Sequence, residues 1–205
     1  MRRLAIVGAS GHGKCLADVA LLLGYADILF FDDVWPNKLL NGAWSVVGST
    51  QELLESLHDF DSVIIGIGNN AIRMRKQASL LAVNAPLTTL IHPASTLCSF
   101  IQYGAGSVFL AGTVVNVDTV LGNAVIVNTG ATIDHDCLLA DGVHIAPGAH
   151  LSGGVHVGAR SWIGIGACVK QGICIGSDVT VGAGSVVVSD IPDGVTVAGN
   201  PARIL

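Results

Sequence analysis

The residues LGNAVIVNTGATIDHDCLLADGVHI (121–145) place an aliphatic side chain at every sixth position. The same frame continues without a slip on both sides of this stretch. Its members are Ile91, Leu97, Tyr103, Phe109, Val115, Leu121, Val127, Ile133, Leu139, Ile145, Leu151, Val157, Ile163, Val169, Ile175, Val181 and Val187. With 51% of the chain hydrophobic, an unbroken apolar frame of this length has a chance of about one in 10⁵. The period is therefore structural.

A six-residue period predicts a parallel β-helix, in which three repeats close one coil and each coil stacks on the next. Each repeat supplies a short strand and a tight turn, with its aliphatic residue pointing inward. Small or β-branched residues recur four positions later, as at Val125, Ala131 and Cys137, and glycine often follows the aliphatic residue, as at Gly122. Residues 86–205 are predicted to form this all-β domain. The alternative is a β-helix used only as a scaffold or binding surface.

Residues 1–85 follow a different pattern, in which buried strands alternate with amphipathic helices. The strands are predicted at 4–8, 28–33 and 62–70, the last with its loop, and the helices at 14–24, 49–57 and 71–83. This order predicts a Rossmann-like α/β domain with a small parallel sheet. Ligands of such sheets bind beyond the carboxyl ends of the strands. Three loops meet that condition, namely Gly8 to Gly13, Asp32-Asp33 and Gly66 to Asn70.

The first of these loops, GASGHGKC (8–15), nearly matches two phosphate-binding motifs and completes neither. A Walker loop needs Ser or Thr after Lys14 to bind Mg²⁺, and Cys15 stands there. A dinucleotide fingerprint needs G-x-G-x-x-G, whereas the glycines here are Gly8, Gly11 and Gly13. The motif disfavours ATP hydrolysis and a redox role with NAD. A glycine loop at a helix start still offers N–H groups to a diphosphate.

Composition excludes several classes of partner. The net charge of −5 and the lack of a long basic run disfavour nucleic acid. The apolar stretch 16–31 is interrupted by Asp18, Gly24 and Asp27, so no membrane insertion is expected. Five cysteines without a CxxC pair, in a chain without a secretory leader, predict reduced thiols and a cytoplasmic protein.

The best candidate for a catalytic base lies in TIDHDC (132–137). His135 and Asp136 occupy the outward, corner-facing part of their repeat, where an adjacent carboxylate raises the basicity of an imidazole and fixes its tautomer. A solvated surface pair is the alternative. One coil later the stack places Gly153, whose backbone N–H is a candidate donor to an oxyanion. Acyl transfer needs such a base and such a donor.

The remaining histidines of the β-helix do not predict a metal site. His144, His150 and His156 are spaced by six residues, which places them on three successive faces of the coil instead of around one point. A zinc hydratase is kept as a remote alternative, and no metal is predicted.

Seven motifs together resemble one branch of the hexapeptide-repeat acyltransferases. They are IVGASGHGKCLADVA (6–20), FFDD (30–33), IGIGNN (65–70), LIHPAS (90–95), IVNTGATIDHDC (126–137), HIAPGAHLSGG (144–154) and VAGNPAR (197–203). The chain is similar to the sialic-acid O-acetyltransferase-like group, and more closely to the nucleotide-sugar N-acetyltransferases of the bacillosamine pathway. The resemblance implies a left-handed β-helix and an N-terminal domain that binds the UDP of an amino sugar.

The resemblance also assigns residues to the UDP-sugar. Ser10, Gly11 and His12 would contact the diphosphate and the sugar. Asp32 and Asp33 would hold the uracil or the ribose, and Gly68 would line the base pocket.

On the β-helix, the resemblance makes His135 the general base and Asp136 its partner, where relatives usually have Glu. His144 would contact acetyl-CoA near the thioester, and Ile165 and Ala183 would line the cofactor along later coils. Acetyl-CoA would lie in the groove between two β-helices, which implies a homotrimer with shared active sites.

The expected reaction is acetylation of the 4-amino group of a UDP-linked 2-acetamido-4-amino-2,4,6-trideoxyhexose, for protein glycosylation or polysaccharide biosynthesis. Close alternatives are O-acetylation of a sialic acid and N-acetylation of a GDP-4-amino sugar. A non-catalytic sugar-nucleotide sensor is a remote alternative.

Overall fold

The computed structural model describes residues 2–205, which divide into two compact units, one ending at His92 and the other spanning Pro93–Leu205. The first is an α/β unit and the second is a β-helix. None of the helices in residues 2–205 has the length and apolarity needed to cross a membrane.

The N-terminal unit contains the three predicted strands and the three predicted helices, together with a strand pair at 40–48 that the sequence analysis did not predict. Its elements are β1 (Arg3–Val7), α1 (Gly11–Leu22), β2 (Asp27–Phe31), β3 (Leu40–Asn41), β4 (Trp44–Gly48), α2 (Thr50–Glu55), a 3₁₀ turn (Leu57–Asp59), β5 (Ser62–Ile65), α3 (Asn70–Ala82) and β6 (Leu90–Ile91). The five-stranded sheet has the order β3-β4-β2-β1-β5. Its strands β4, β2, β1 and β5 are parallel, and β3 pairs with β4 in the antiparallel sense.

The sheet order brings three loops to one edge. The chain leaves β1 toward β2 on one side and later returns to β5 on the other side, so the carboxyl ends of β1, β2 and β5 are neighbours. Gly8 N–H donates to the carbonyl of Phe31, and Gly66 N–H donates to the carbonyl of Val7, which extends the sheet into these loops. The predicted convergence of the three loops is confirmed.

Helix α1 begins three residues earlier than predicted. The sequence indicated a start at Lys14, but the helix starts at Gly11, with Ser10 in extended conformation at its N-cap. The glycines misled the prediction because glycine disfavours helix interiors. In the first turn this cost is small, since the backbone N–H groups there have no intrahelical partner. The other predicted ends agree to within a few residues, and α2 is shorter because a 3₁₀ turn follows it.

In the β-helix, two-residue strands repeat every six residues on three faces. The first face contains β7 (Thr96–Leu97), β10 (Val114–Val115), β13 (Thr132–Ile133), β16 (His150–Leu151), β19 (Cys168–Val169) and β22 (Val186–Val187). The second contains β8 (Gln102–Tyr103), β11 (Val120–Leu121), β14 (Leu138–Leu139), β17 (His156–Val157) and β20 (Cys174–Ile175). The third contains β9 (Val108–Phe109), β12 (Ile126–Val127), β15 (His144–Ile145), β18 (Trp162–Ile163), β21 (Thr180–Val181), β23 (Thr196–Gly199) and β24 (Ala202–Ile204).

The register confirms the coil inferred from the period. Ile133 pairs with Leu151 and Ile145 pairs with Ile163, each one coil apart and in parallel. The frame residues are buried from Phe109 to Val187, whereas Tyr103 in the first coil is exposed, because no coil precedes it. The fold is the left-handed parallel β-helix that was expected.

The corners between faces require unusual backbone conformations. At the first corner, between the first and second faces, one column contains Asp118, Asp136, Gly154 and Gly172, all with φ between 58° and 70°. Asp and Asn are among the few side chains that tolerate this left-handed region. The backbone at Asp136 is thus suited to a short polar side chain.

Candidate functional site

The glycine loop after β1 is shaped by close packing. Gly8 has φ +104°, and a Cβ there would lie 2.4 Å from the Ile67 side chain. A Cβ on Gly13 would lie 2.4 Å from the Gly8 carbonyl oxygen. The loop and the start of α1 therefore need glycine at both positions. Gly11 differs, because its Cβ position opens to empty space.

The N-terminus of α1 has no side-chain cap. Helices α2 and α3 are capped by the side chains of Ser49 and Asn69, whereas the Ser10 hydroxyl makes no cap bond and donates to the carbonyl of Gly66. The first-turn N–H groups, which include those of Gly11 and His12, are the donors that bind phosphates at helix N-termini. This arrangement favours the predicted diphosphate site.

Two side chains that the sequence analysis missed hold the carbonyls of this loop. Lys38 donates from Nζ to the carbonyl of Ala9, and Asn41 donates from Nδ2 to the carbonyl of Ser10 at 3.1 Å. Lys38 precedes β3, and Asn41 is the last residue of that strand. With these carbonyls held, the loop is fixed without a ligand.

A cleft of about 280 Å³ lies at the carboxyl edge of the sheet. It is lined by Val7, Gly8, Ser10, Phe31, Asp32, Asp33, Thr50, Ile67, Ile72 and Lys76. Three residues predicted for the substrate, Ser10, Asp32 and Asp33, are thus brought together. Gly68 lies next to the lining residue Ile67, and its Cβ position opens to empty space.

The two aspartates have different partners. Asp32 accepts hydrogen bonds from the N–H groups of Ala9 and Val34, so it ties the glycine loop to the end of β2. Asp33 accepts from Thr50 N–H at 3.0 Å and from Lys76 Nζ at 2.6 Å. Burial raises the pKa of Asp33, but the hydrogen bonds from Lys76 and Thr50 outweigh it and bring this pKa to about 2. Asp33 is therefore a carboxylate throughout the physiological range.

His12 is uncharged in this environment. Burial, together with the positive charge of Arg73, lowers the pKa of His12 to about 4. Arg73 is itself buried and donates to the carbonyls of Ile67 and Gly68 and to Asn70 Oδ1. His12 can therefore offer a diphosphate a hydrogen bond but no charge at neutral pH. Its predicted contact with the substrate stays a prediction.

Lys76 and Thr50 are further cleft residues that the sequence analysis missed. Lys76 Nζ donates to Thr50 Oγ1 at 2.8 Å as well as to Asp33. The sequence contained a signal for Lys76, because the predicted helix that carries it starts directly after the loop that follows β5. A residue one to two turns into such a helix can reach back to the carboxyl edge of the sheet.

On the β-helix, the predicted base and its partner are in contact. His135 Nδ1 and Asp136 Oδ2 are 2.7 Å apart at the first corner, and 57% of the His135 side chain is exposed. The hydrogen bond to Asp136, followed by the charge of Asp134, raises the pKa of His135. A carboxylate only accepts hydrogen bonds, so Nδ1 carries the proton and Nε2 is left as the basic atom.

Gly153 lies directly against the imidazole. A Cβ built on Gly153 would be 2.6 Å from His135 Cε1 and 2.7 Å from Nε2. The backbone ladder at this corner uses Gly154 N–H, which donates to the His135 carbonyl, and the Gly153 carbonyl, which accepts from Gly172. The N–H of Gly153 stays outside the ladder. Its role as an oxyanion donor stays a prediction, and its lack of a side chain makes room for the ring.

The raised pKa of His135 leads to a prediction for Asp136→Asn. Asparagine tolerates the left-handed backbone at this position but cannot hold the imidazole as a carboxylate does. A base must be unprotonated, so kcat/KM should fall as the pH drops through the pKa of His135. In Asp136→Asn we expect this acidic limb to move to lower pH. The plateau rate should fall by less than the about 10²- to 10⁴-fold that general base catalysis supplies.

The matched control is Asp118→Asn. Asp118 stands one coil earlier in the same column, with φ 58° against 60° at Asp136. Its substitution should change neither the limb nor the plateau in a pH profile of initial rates. An unshifted limb in Asp136→Asn would contradict the assigned pairing.

The residues predicted for acetyl-CoA occupy other parts of the coil. Ile165 and Ala183 are exposed and stack one coil apart at the corner between the third and first faces, where Gly184 N–H donates to the Ile165 carbonyl. His144 is buried, with its ring centroid 4.1 Å from that of Trp162 and Nε2 3.1 Å from Asn128 Nδ2. The structure does not bring these three residues to the corner that carries His135 within one chain.

The prediction that three histidines lie on three different faces is confirmed. His150 is on the first face, His156 on the second and His144 on the third. Within residues 2–205, no group of three or more His, Cys, Asp or Glu side chains is arranged to hold a metal ion.

An α/β unit with a cleft of about 280 Å³ at the edge of its sheet, followed by a hexapeptide β-helix with a His–Asp pair at a corner, defines a hexapeptide-repeat acyltransferase. Residues 3–80 match the family model described as the PglD N-terminal domain. The chain is 31% identical over 154 residues to a GDP-perosamine N-acetyltransferase of Escherichia coli O157:H7. This match covers 69% of the chain and 66% of the relative, slightly less than two thirds of its length.

Several solved structures match over the whole chain. The acetyltransferase domain of PglB from Neisseria gonorrhoeae FA1090, in complex with acetyl coenzyme A, is 48% identical with a TM-score of 0.95, covering 100% of this chain and 99% of that one. PerB from Caulobacter crescentus, in complex with CoA and GDP-perosamine, is 33% identical with a TM-score of 0.94, covering 100% and 98%. The chain belongs to this family of acetyl-CoA-dependent sugar-nucleotide N-acetyltransferases, which confirms the resemblance.

Proposed function

We propose that this chain transfers the acetyl group of acetyl-CoA to the 4-amino group of a UDP-linked 2-acetamido-4-amino-2,4,6-trideoxyhexose. The product is a UDP-sugar with two N-acetyl groups. The observation that carries the proposal is the contact of 2.7 Å between His135 Nδ1 and Asp136 Oδ2, with Gly153 packed against Cε1 and Nε2 of the same ring.

The reaction needs one base and one oxyanion donor. The amine nitrogen attacks the thioester carbon while His135 Nε2 accepts a proton from it. The Gly153 N–H, which the backbone ladder does not use, stabilises the oxyanion of the tetrahedral intermediate. When the C–S bond breaks, the coenzyme A thiolate leaves and takes the proton from His135.

The nucleotide binds to the N-terminal unit, with its diphosphate at the start of α1 near Ser10, Gly11 and His12. Asp32, Asp33 and Gly68 are assigned to the base and ribose. The cleft at the carboxyl edge of the sheet supports this assignment. A GDP-4-amino sugar is the second candidate, because the relative from Escherichia coli O157:H7 is a GDP-perosamine N-acetyltransferase and PerB binds GDP-perosamine in its complex.

The acetyl-CoA site is proposed to be shared between subunits of a homotrimer. His144, Ile165 and Ala183 are assigned to the cofactor. The first corner carries His135, whereas Ile165 and Ala183 lie at the corner on the far side of the first face. A site in which one subunit supplies the base and its neighbour supplies the cofactor groove accounts for this separation. The reaction is proposed to take place in the cytoplasm and to serve glycan biosynthesis.

A thiol-release assay with acetyl-CoA tests the acceptor. A UDP-4-amino sugar, a GDP-4-amino sugar and free sialic acid are offered separately, and the acetylated product is identified by mass. Thiol release with the UDP-amine is the expected result. Release with the GDP-amine alone would change the nucleotide, and release with sialic acid alone would replace N-acetylation by O-acetylation. No release with any acceptor would favour a non-catalytic sensor.

A further inference from the structure

The cleft of the N-terminal unit has two chemically different parts. Val7, Phe31, Ile67 and Ile72 contribute apolar surface. Asp33, Thr50 and Lys76 form a hydrogen-bonded cluster at the same cleft. Apolar walls with a few fixed polar groups are typical of sites for flat heteroaromatic ligands. Ribose hydroxyls and phosphates, by contrast, gain nothing from apolar walls.

The cluster leaves unused hydrogen-bonding capacity. An ammonium group has three N–H donors, and Lys76 Nζ uses two of them, toward Asp33 Oδ2 and Thr50 Oγ1. The carboxylate of Asp33 accepts from Lys76 and from Thr50 N–H and retains further lone pairs. A fixed donor therefore stands beside a fixed acceptor.

We propose that Lys76 is a specificity-determining residue that donates to the base carbonyl of the nucleotide, while Asp33 accepts from the neighbouring ring N–H. Uracil offers this edge with O4 and N3–H, and guanine offers it with O6 and N1–H. Cytosine and adenine carry an amino group in place of the carbonyl and a bare ring nitrogen in place of the N–H. The pair thus selects bases with a C=O beside an N–H.

The relative burial of the two side chains orients the base. Lys76 is 23% exposed and Asp33 is 59% exposed, so Lys76 is the more buried member of the pair. The part of the base that reaches deepest is the part furthest from the ribose, which is O4 of uracil or O6 of guanine. The low pKa of Asp33, about 2, keeps the carboxylate an acceptor at every pH used for binding. The inference deepens the proposed function and rests on its assignment of a nucleotide to this cleft.

The charge of Lys76 does not compete with this role. Asp33 neutralises it at 2.6 Å, so the pair adds no net charge to the site. Its contribution to binding then comes from the geometry of donor and acceptor, which depends on the base. A lysine that served only as a counter-ion for the diphosphate would act on all nucleotides alike.

The test compares Lys76→Met with the wild-type chain in calorimetric binding of UDP, GDP, CDP and ADP. Methionine keeps the length and the apolar stem and removes the donors. We expect the affinity for the preferred nucleotide, UDP or GDP, to fall about 10- to 100-fold, the range for a hydrogen bond to a charged group. The weak affinity for CDP and ADP should fall by a smaller factor, set only by the charge of Asp33 that Lys76 no longer neutralises, so the discrimination between the bases narrows.

Arg75→Met is the matched control. Arg75 is the exposed neighbour of Lys76 on α3, and its substitution removes the same charge from the same helix. It should leave all four affinities unchanged. Lys76→Gln, which retains an N–H donor, should recover part of the lost affinity, and a thermal melt of each variant verifies that it is folded.

Two results would overturn the inference. One is an unchanged affinity for UDP and GDP in Lys76→Met, and the other is an equal loss for all four nucleotides. The binding experiment contains neither acetyl-CoA nor an amine. Suppose that Lys76→Met loses affinity for UDP as expected, but the wild-type chain releases no thiol in the transfer assay. That result would refute the proposed function and leave this inference standing.

Discussion

His135→Ala is expected to lower kcat by about 10²- to 10⁴-fold, the contribution of a positioned general base. The imidazole is the basic group at the first corner, and Asp136 holds its proton on Nδ1, away from the reacting side. The substitution removes an exposed side chain that is no part of the apolar coil interior. The thermal midpoint should therefore change little. Steady-state rates with acetyl-CoA and the amino-sugar nucleotide measure the effect.

The chain offers a matched control in a second adjacent His–Asp pair. His58 lies 3.5 Å from Asp59 in the N-terminal unit, with 80% of its side chain exposed. His58→Ala should retain the wild-type rate. The control thus shows that a loss of rate requires the His–Asp pair at the first corner and not any adjacent His–Asp pair. A wild-type rate in His135→Ala would exclude the proposed mechanism. An equal fall in both variants would have the same consequence.

The β-helix could be predicted from the sequence because each coil repeats one physical requirement. An inward aliphatic residue every six positions is imposed by the parallel stacking itself, so the period reports the fold directly. Pairs such as Ile133 and Leu151 then have the register that the period demands. The hand of the coil came from the resemblance, because the period is the same for either hand.

The start of helix α1 could not be predicted, because a glycine can either disfavour a helix or be required in it by close packing. In a helix interior glycine is unfavourable, which moved the predicted start to Lys14. Gly13 nevertheless belongs to the helix. Glycine is needed there because a Cβ would collide with the Gly8 carbonyl and the Phe30 ring. Only a contact between residues remote in sequence explains this glycine, and a local pattern does not contain that information.

The candidate sites differ in the same way: residues on the β-helix could be placed from the sequence, and residues of the α/β unit could not. His135, Asp136 and Gly153 could be placed from the coil geometry, because positions one coil apart are stacked neighbours. Lys76 could not be placed in this way. Its partners Asp33 and Thr50 come from other elements, and only the packing of α3 at the sheet edge brings them together. The repeat thus predicts which site residues of the β-helix are neighbours, whereas in the α/β unit only the tertiary structure shows which residues meet.

Gly153→Ala is expected to lower kcat by about 10²-fold, the cost of misplacing a reacting group by about 1 Å. A Cβ at this position would lie 2.6 Å from His135 Cε1, so the ring has to move. The backbone N–H of residue 153 is retained in alanine, so the proposed oxyanion donor is not removed. The φ of Gly153 is outside the left-handed region, and the strain is therefore confined to the contact with the ring. The KM for each substrate should stay near its wild-type value.

A double variant shows whether Gly153 acts through His135. If the methyl group acts only by displacing the imidazole, His135→Ala combined with Gly153→Ala should be no slower than His135→Ala alone, because interacting residues do not contribute additively. A multiplicative loss would instead mean that alanine disturbs the oxyanion donor or the coil. Gln171→Ala, at the exposed equivalent position one coil further on, is the control for substitutions in this column and should be silent. Since Gly153 makes room for the His135 imidazole, the absence of additivity is the most specific kinetic consequence of this packing.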